Sequence, residues 1–166
     1  MLALFLSSIL SGAIATAVMI VFLYLPLLWG GLYYDTLGAV GSVFLRKIDN
    51  RSRFLGAIIL FFGGIMVAFI YGWFAYMFLN GTFGAPAYLI SESPVRIDLF
   101  YPVLGLVGGF GQGMFMALIT GFIVTDFHPF EEYRQITPLL ISFFVGHAVY
   151  GVVVMFFQNQ LLQLLM

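Results

Sequence analysis

Long apolar stretches, separated by short polar clusters, dominate the chain. Asp, Glu, Lys and Arg are absent from four stretches, which are 1–34, 54–91, 99–125 and 135–166. A helix needs about 20 predominantly apolar residues to span a bilayer, so each stretch accommodates one span and not comfortably two. The pattern predicts membrane spans at 3–28, 54–79, 99–125 and 138–158.

The apolar stretches have the character of helices rather than strands. A transmembrane β-barrel shows segments of about ten residues with alternating polarity, whereas the segment from Phe54 to Phe78 is apolar on every face. We therefore predict an all-α fold, a polytopic membrane protein with a bundle of four transmembrane helices. A single transmembrane domain over residues 1–166 follows.

Composition excludes several classes of protein. The chain is 63% apolar and 8% charged, with a mean hydropathy of +1.10, whereas an ordinary soluble domain is about 45–50% apolar and about 25% charged. A soluble globular protein, a disordered chain and a nucleic-acid binder are thereby excluded. The absence of cysteine also excludes disulfides, iron–sulfur clusters and thiolate metal sites.

The distribution of basic residues predicts the orientation. The first and third connections together have five basic residues, namely Arg46, Lys47, Arg51, Arg53 and Arg134. The second connection has one, Arg96. Basic residues favour the cytoplasmic side, so we expect both termini outside. The first span resembles a signal peptide around Ala13-Ile14-Ala15. Because it lacks a basic start and its apolar run continues to Trp29, we predict a retained helix.

The first two connections differ in character. Residues 36–48 are predicted to form a short amphipathic helix at the membrane interface, capped by Asp35 or Thr36. Lipid is the favoured contact of this helix, and a partner protein is the alternative. The second connection, rich in Gly and Pro around Gly81 and Pro86, predicts an irregular external loop.

The third connection contains His128 among acidic residues. A histidine near Asp126, Glu131 and Glu132 could ligate a metal, but it lacks a second nitrogen donor. A helix start with Pro129 at its first position explains the same residues. We therefore predict no metal site here.

Small residues recur four apart within the spans. Without Cβ bulk, membrane helices approach closely and gain dispersion contacts, so these positions are predicted to pack helix against helix. They are Gly12, Thr16, Gly64, Ala68, Gly72, Gly105, Gly109, Gly113, Gly146 and Gly151.

Three polar residues lie near the middle of their spans: Thr16, Gln112 and His147. A midplane histidine forms interhelical hydrogen bonds, ligates haem iron or chlorophyll magnesium, or transfers protons. For His147 a hydrogen bond to Gln112 or Thr16 is the favoured interpretation, and a haem or (bacterio)chlorophyll ligand is the alternative.

Nothing in the sequence forms a catalytic constellation, and a non-enzymatic protein is predicted. No acidic or basic residue lies within a predicted span, although a proton-coupled transporter usually needs one on its pathway. Coupled transport is therefore disfavoured, while a passive pore remains an alternative function.

Two segments resemble small uncharacterised prokaryotic four-helix membrane proteins of the YagU-like type. The segment Ser11–Met19 resembles their Gly-rich first helix, and Gly146–Gly151 resembles their His-x-x-Tyr-Gly last helix. Gln112 stands where that family's third helix has a histidine. The resemblance implies a four-helix protein of the prokaryotic cytoplasmic (inner) membrane.

The expected function is a non-catalytic accessory or structural subunit of a larger prokaryotic membrane complex, with a respiratory or photosynthetic electron-transfer assembly as host. Its expected partners are the lipid bilayer and other integral membrane subunits, with no nucleic acid. No cofactor is predicted beyond bound lipid, with haem or (bacterio)chlorophyll at His147 as the alternative. A small transporter or channel, and a pigment or haem carrier, are the other candidate functions.

Overall fold

The computed structural model describes residues 1–82 and 99–165, and every regular element in these ranges is helical. The α-helices there are α1 Leu2–Tyr24, α2 Thr36–Leu45, α3 Asn50–Leu79, α4 Phe100–Phe127 and α5 Ile136–Leu165, with 3₁₀ segments at Leu25–Trp29 and Glu131–Tyr133. Four of these helices are long and apolar enough to cross a membrane, where α1 is counted together with the 3₁₀ segment that continues it. The predicted four-helix membrane fold is confirmed. The predicted external loop and Arg96 lie outside the described residues.

Two of the long helices extend beyond their predicted bounds. Helix α3 begins at Asn50 rather than 54, because the Asp49 carboxylate accepts a hydrogen bond from the Ser52 N–H at 2.9 Å. Helix α5 continues to Leu165 rather than ending at 158. The polar side chain of Gln158 does not end this helix, because it is buried and hydrogen-bonded inside the bundle.

The short helix α2 forms where it was predicted but ends earlier. Asp35 is its N-cap, accepting from the Gly38 N–H at 3.0 Å. The helix ends at Leu45 rather than 48, because Arg46 takes a left-handed conformation with φ of 52°. Its buried residues are small, namely Thr36, Gly38, Ala39, Gly41 and Ser42. Gly41 packs on the start of α3, whereas Gly38, Ala39 and Ser42 face the third connection. Phe44 is left exposed.

Small residues allow α1 to approach α3, and α4 to approach α5, at backbone distance. A Cβ on Gly151 would meet the carbonyl oxygen of Gly105, and a Cβ on Gly105 would meet that of Gly151. On the other side, a Cβ on Gly12 would lie 2.7 Å from the Cβ of Ala68. Helix α5 also packs against α1 and thus lies between α1 and α4.

The other predicted small residues also lie at helix contacts. A Cβ on Gly113 would lie 2.8 Å from the Phe143 carbonyl oxygen of α5, and one on Gly109 would meet the carbonyl of His147. A Cβ on Gly146 would lie 3.2 Å from the Leu23 side chain of α1. Helices α3 and α4, by contrast, do not pack closely against each other.

Candidate functional site

A cleft runs between α3 and α4, with α5 as its floor. Tyr71 of α3 bridges it, since its hydroxyl donates to Gln112 Oε1 of α4 at 3.0 Å. Ile70 on one wall is 59% exposed and Val107 on the other is 66% exposed. The cleft therefore opens sideways, in the direction where lipid would surround a membrane bundle.

Two cavities make up the cleft. The first, here called the apolar cavity, has a volume of about 460 Å³ and is lined mainly by Val67, Ile70, Phe74, Leu104, Val107 and Met155. The second, the histidine cavity, has a volume of about 290 Å³ and includes Gly63, Gly64, Phe143, His147 and Tyr150 in its lining. Helices α1 and α2 also border this cavity, through Met19, Leu23, Thr36 and Val40.

The two cavities adjoin each other. Val67, Gln112 and Met116 line both of them. On α3 the lining extends from Ile59 to Phe74, which is about 22 Å at about 1.5 Å per residue. Together the cavities cover most of the roughly 30 Å thickness of a bilayer's hydrocarbon core.

His147 lines the histidine cavity and has one unpaired ring nitrogen in the described ranges. Its Nδ1 lies 2.8 Å from the carbonyl oxygen of Phe143 one turn earlier on α5. A carbonyl only accepts, so Nδ1 carries the proton, and in a neutral imidazole Nε2 is then a bare acceptor. Nε2 has no hydrogen-bond partner among residues 1–82 and 99–165.

The hydrogen bond expected between His147 and either Gln112 or Thr16 does not form. His147 bonds within its own helix, as serine and threonine also commonly do. Thr16 likewise donates to the Gly12 carbonyl at 2.8 Å and faces Gly64. Gln112 is bonded instead to Tyr71, and its amide nitrogen has no partner in the described ranges.

A haem held by two histidines of this chain does not fit the structure. His128, the only other histidine of the sequence, lies beyond the end of α4. Its Nε2 lies 3.1 Å from the Ala39 carbonyl oxygen, and its Nδ1 accepts from the Phe130 N–H at 3.1 Å. This chain therefore offers at most one histidine, His147, as an axial ligand inside the bundle.

The third connection serves structure at this end of the bundle. No group of three potential metal ligands occurs in the part of the chain that the structure describes. His128 ties the connection to α2, and Arg134 donates to the His128 carbonyl at 2.7 Å. The predicted helix start at Pro129 is wrong, because only a 3₁₀ segment forms at Glu131–Tyr133 and α5 begins at Ile136.

A polar cluster around Asp35 joins the first and third connections. The Asp35 carboxylate forms an ion pair with Arg53 at 2.9 Å and accepts from the hydroxyls of Tyr24 at 2.5 Å and Tyr133 at 3.3 Å. Burial acts to raise the pKa of Asp35, but its hydrogen bonds and the Arg53 charge outweigh burial and lower it below 3.8. Burial, with the Asp35 charge nearby, raises the pKa of Tyr133 to about 12.

A second polar cluster, which sequence reasoning missed, lies between α1 and α5. Gln158 is fully buried, and its amide nitrogen donates to Ser7 Oγ at 2.8 Å and to Ser8 Oγ at 3.3 Å. Ser11 Oγ donates to Gln158 Oε1 at 2.5 Å. The sequence contained a signal for this cluster: Gln158 lies in an apolar stretch, and the first span has three closely spaced serines.

These contacts divide the polar groups into two kinds. The clusters at Asp35 and Gln158 are internally bonded and connect parts of the bundle. His147 and Gln112 have unused hydrogen-bonding atoms, and both line the cleft, as do the hydroxyls of Thr120 and Ser142, which have no partner in the described ranges. Comparisons with protein-family models, with curated proteins and with solved structures found no match for this chain.

Proposed function

We propose that the protein is a non-catalytic membrane subunit that holds one lipophilic molecule in the cleft between α3 and α4. The carrying observation is the cleft itself, which separates α3 from α4 in a bundle where α1 meets α3, and α4 meets α5, at backbone distance. Small-molecule sites in proteins are mostly apolar spaces of about 300–1,000 Å³. The apolar cavity, of about 460 Å³, lies in this range, and the adjoining histidine cavity, of about 290 Å³, lies just below it.

The chemistry of the lining supports a lipophilic occupant. Apolar and aromatic side chains make up most of both walls, and none of the described lining residues is charged. A charged ligand at this depth would lose its hydration without gaining an opposite charge. A hydrocarbon body, in contrast, matches the lining along the length of the cleft.

Occupancy can be tested by filling the cavity. A Cβ at Gly63 has nothing within 4 Å, and Gly63 lines the histidine cavity. Gly63→Leu therefore adds a side chain at the cavity wall whose Cβ meets no neighbour, and leucine also suits a helix better than glycine. Gly111→Leu is the matched control, because Gly111 of α4 has equally open surroundings but is not part of either cavity lining.

The readout is the lipophile retained per chain after exchange into a delipidating detergent, measured by solvent extraction and mass spectrometry. We expect about one molecule per chain in the unsubstituted protein and in Gly111→Leu, and clearly less in Gly63→Leu. Equal retention in all three proteins would contradict the proposal.

The accessory role in a larger prokaryotic membrane complex is part of the same proposal. Its support is that the described connections are short and form no extramembrane domain, so other proteins are reached within or beside the bilayer. Native gels of membranes dissolved in mild detergent test this role. Migration only as a small free species would refute it.

A pigment or haem carrier is a second candidate, favoured by the unpaired Nε2 of His147. A chlorophyll magnesium would take this nitrogen as its single protein ligand, and the apolar cavity would receive part of the ring system or tail. The absorption spectrum of the purified protein tests this candidate. A Soret or Qy band would support it, and a spectrum with the aromatic band alone would rule it out.

A further inference from the structure

We propose that the occupant of the cleft has a neutral quinone or quinol head, bound at His147 and Gln112, and a hydrocarbon tail. This inference rests on the proposed function and specifies its ligand. It follows from four features of the cleft: the unused polar atoms of His147 and Gln112, the neutrality of the lining, the aromatic floor and the apolar cavity beside Gln112.

The unused polar atoms are of opposite hydrogen-bonding kinds. Nε2 of His147 is an acceptor, because Nδ1–H is committed to the Phe143 carbonyl. The amide nitrogen of Gln112 is a donor, because its oxygen already accepts from Tyr71. A quinol hydroxyl can donate to the histidine, and a quinone carbonyl can accept from the glutamine.

The neutrality of the lining argues against charged heads. A phosphate or a carboxylate needs a cation or several donors when it is removed from water. The described lining of the histidine cavity has no Lys or Arg. Phospholipids and ionised fatty acids are therefore poorer candidates than a neutral ring with polar oxygens.

Aromatic side chains at the floor suit a planar head. The rings of Phe143 and His147 are stacked, with centroids 5.4 Å apart and an angle of 14° between planes. Tyr150 lines the same cavity and is held by donation from its hydroxyl to the Gly64 carbonyl. Aromatic rings prefer offset-stacked or edge-to-face neighbours, and both are available to a ring in this space.

The apolar cavity continues past Gln112 and receives the tail. Its walls include Ile70, Phe74 and Leu104, which offer only hydrocarbon and ring surface. A tail lying there runs parallel to the helices and leaves the head at the junction of the two cavities. This placement matches the position of Gln112 in both linings.

The test compares two probes on the full chain in lipid nanodiscs. One is a benzoquinone with a decyl tail, and the other is decylbenzene, which has the same tail but no oxygens. Bound probe is measured by native mass spectrometry across a concentration series. We expect saturable binding of one benzoquinone per chain, and weaker binding of decylbenzene.

Variants then locate the head. Gln112→Leu removes one hydrogen-bond donor and should weaken benzoquinone binding about five-fold, the equivalent of one ordinary hydrogen bond. Gln163→Leu is the matched control, since Gln163 is exposed and remote from the cavity linings. The ¹⁵N resonance of His147 Nε2 should shift when the quinol form is added, which gives a readout independent of the variants.

The outcomes separate this inference from the proposed function. Equal binding of both probes would overturn the quinone assignment. Equal effects of Gln112→Leu and Gln163→Leu on benzoquinone binding, together with an unshifted His147 resonance, would overturn it as well. If Gly63→Leu still blocked both probes in that case, the proposed function would stand. Absence of any saturable binding, or binding unaffected by Gly63→Leu, would overturn both.

Discussion

Replacing Gln158 by leucine should weaken the contact between α1 and α5. The substitution keeps nearly the same volume but removes the three hydrogen bonds to Ser7, Ser8 and Ser11. Interhelical hydrogen bonds in membranes average about 0.6 kcal/mol each, so the loss should be roughly 2 kcal/mol. Ser7 and Ser11 keep bonds within α1, for example Ser7 Oγ to the Leu4 carbonyl at 3.1 Å. The buried Ser8 hydroxyl loses its partner, which adds to the destabilisation.

Reversible unfolding in mixed micelles, followed by circular dichroism, measures this loss. Gln135→Leu is the control, because Gln135 is exposed and its side chain has no hydrogen-bond partner in the described ranges. It should change the free energy of unfolding by less than about 0.5 kcal/mol. If Gln158→Leu were no more destabilising than Gln135→Leu, the buried cluster would contribute nothing to the bundle and our reasoning would be wrong.

Three further predictions concern packing and the connections. Gly151→Val should destabilise the protein by about 1–3 kcal/mol in the same unfolding assay, because its side chain would meet the backbone of α4, whereas Gly111→Val should be tolerated. The folded-state pKa of Asp35 lies below 3.8, so its stabilising contribution is present above this pH and is lost as pH falls through the folded-state pKa. The unfolding midpoint measured against pH should show this loss. Asp35→Asn should abolish the part of the pH dependence that comes from this carboxylate. Tyr133→Phe, which removes a hydrogen bond to Asp35, should cost about 1 kcal/mol, and an unchanged unfolding midpoint would contradict that role.

Much of the fold was predictable because charge and helix spacing are local properties of the sequence. The charge-free stretches indicated the four spans, since a charged side chain in the hydrocarbon core is costly. The spacing of Gly105, Gly109 and Gly113 indicated a contact face on α4. The identity of its partner, the α5 face around Gly151, was not predictable, because any of the other helices could have supplied a similar surface.

Polar groups inside the membrane were harder to interpret. Gln158 was placed at the end of a predicted span, where water would satisfy its amide, but partners on α1 allow it to lie inside the bundle. His147 was expected to reach Gln112 or Thr16, but its own helix offered the Phe143 carbonyl one turn away. The cleft had no sequence signal at all, because it arises from the separation of two helices that are both apolar on their outer faces.

Photoaffinity labelling tests the central claim most directly. A lipophilic benzoquinone probe with a photoreactive group in its tail is added to the full chain in nanodiscs, and labelled peptides are mapped by mass spectrometry. We predict saturable labelling concentrated at residues of the cleft, such as Val67 and Met116, and displaced by unlabelled probe. Labelling spread evenly over exposed positions outside the cleft, such as Phe22 and Phe115, would contradict a built site between α3 and α4.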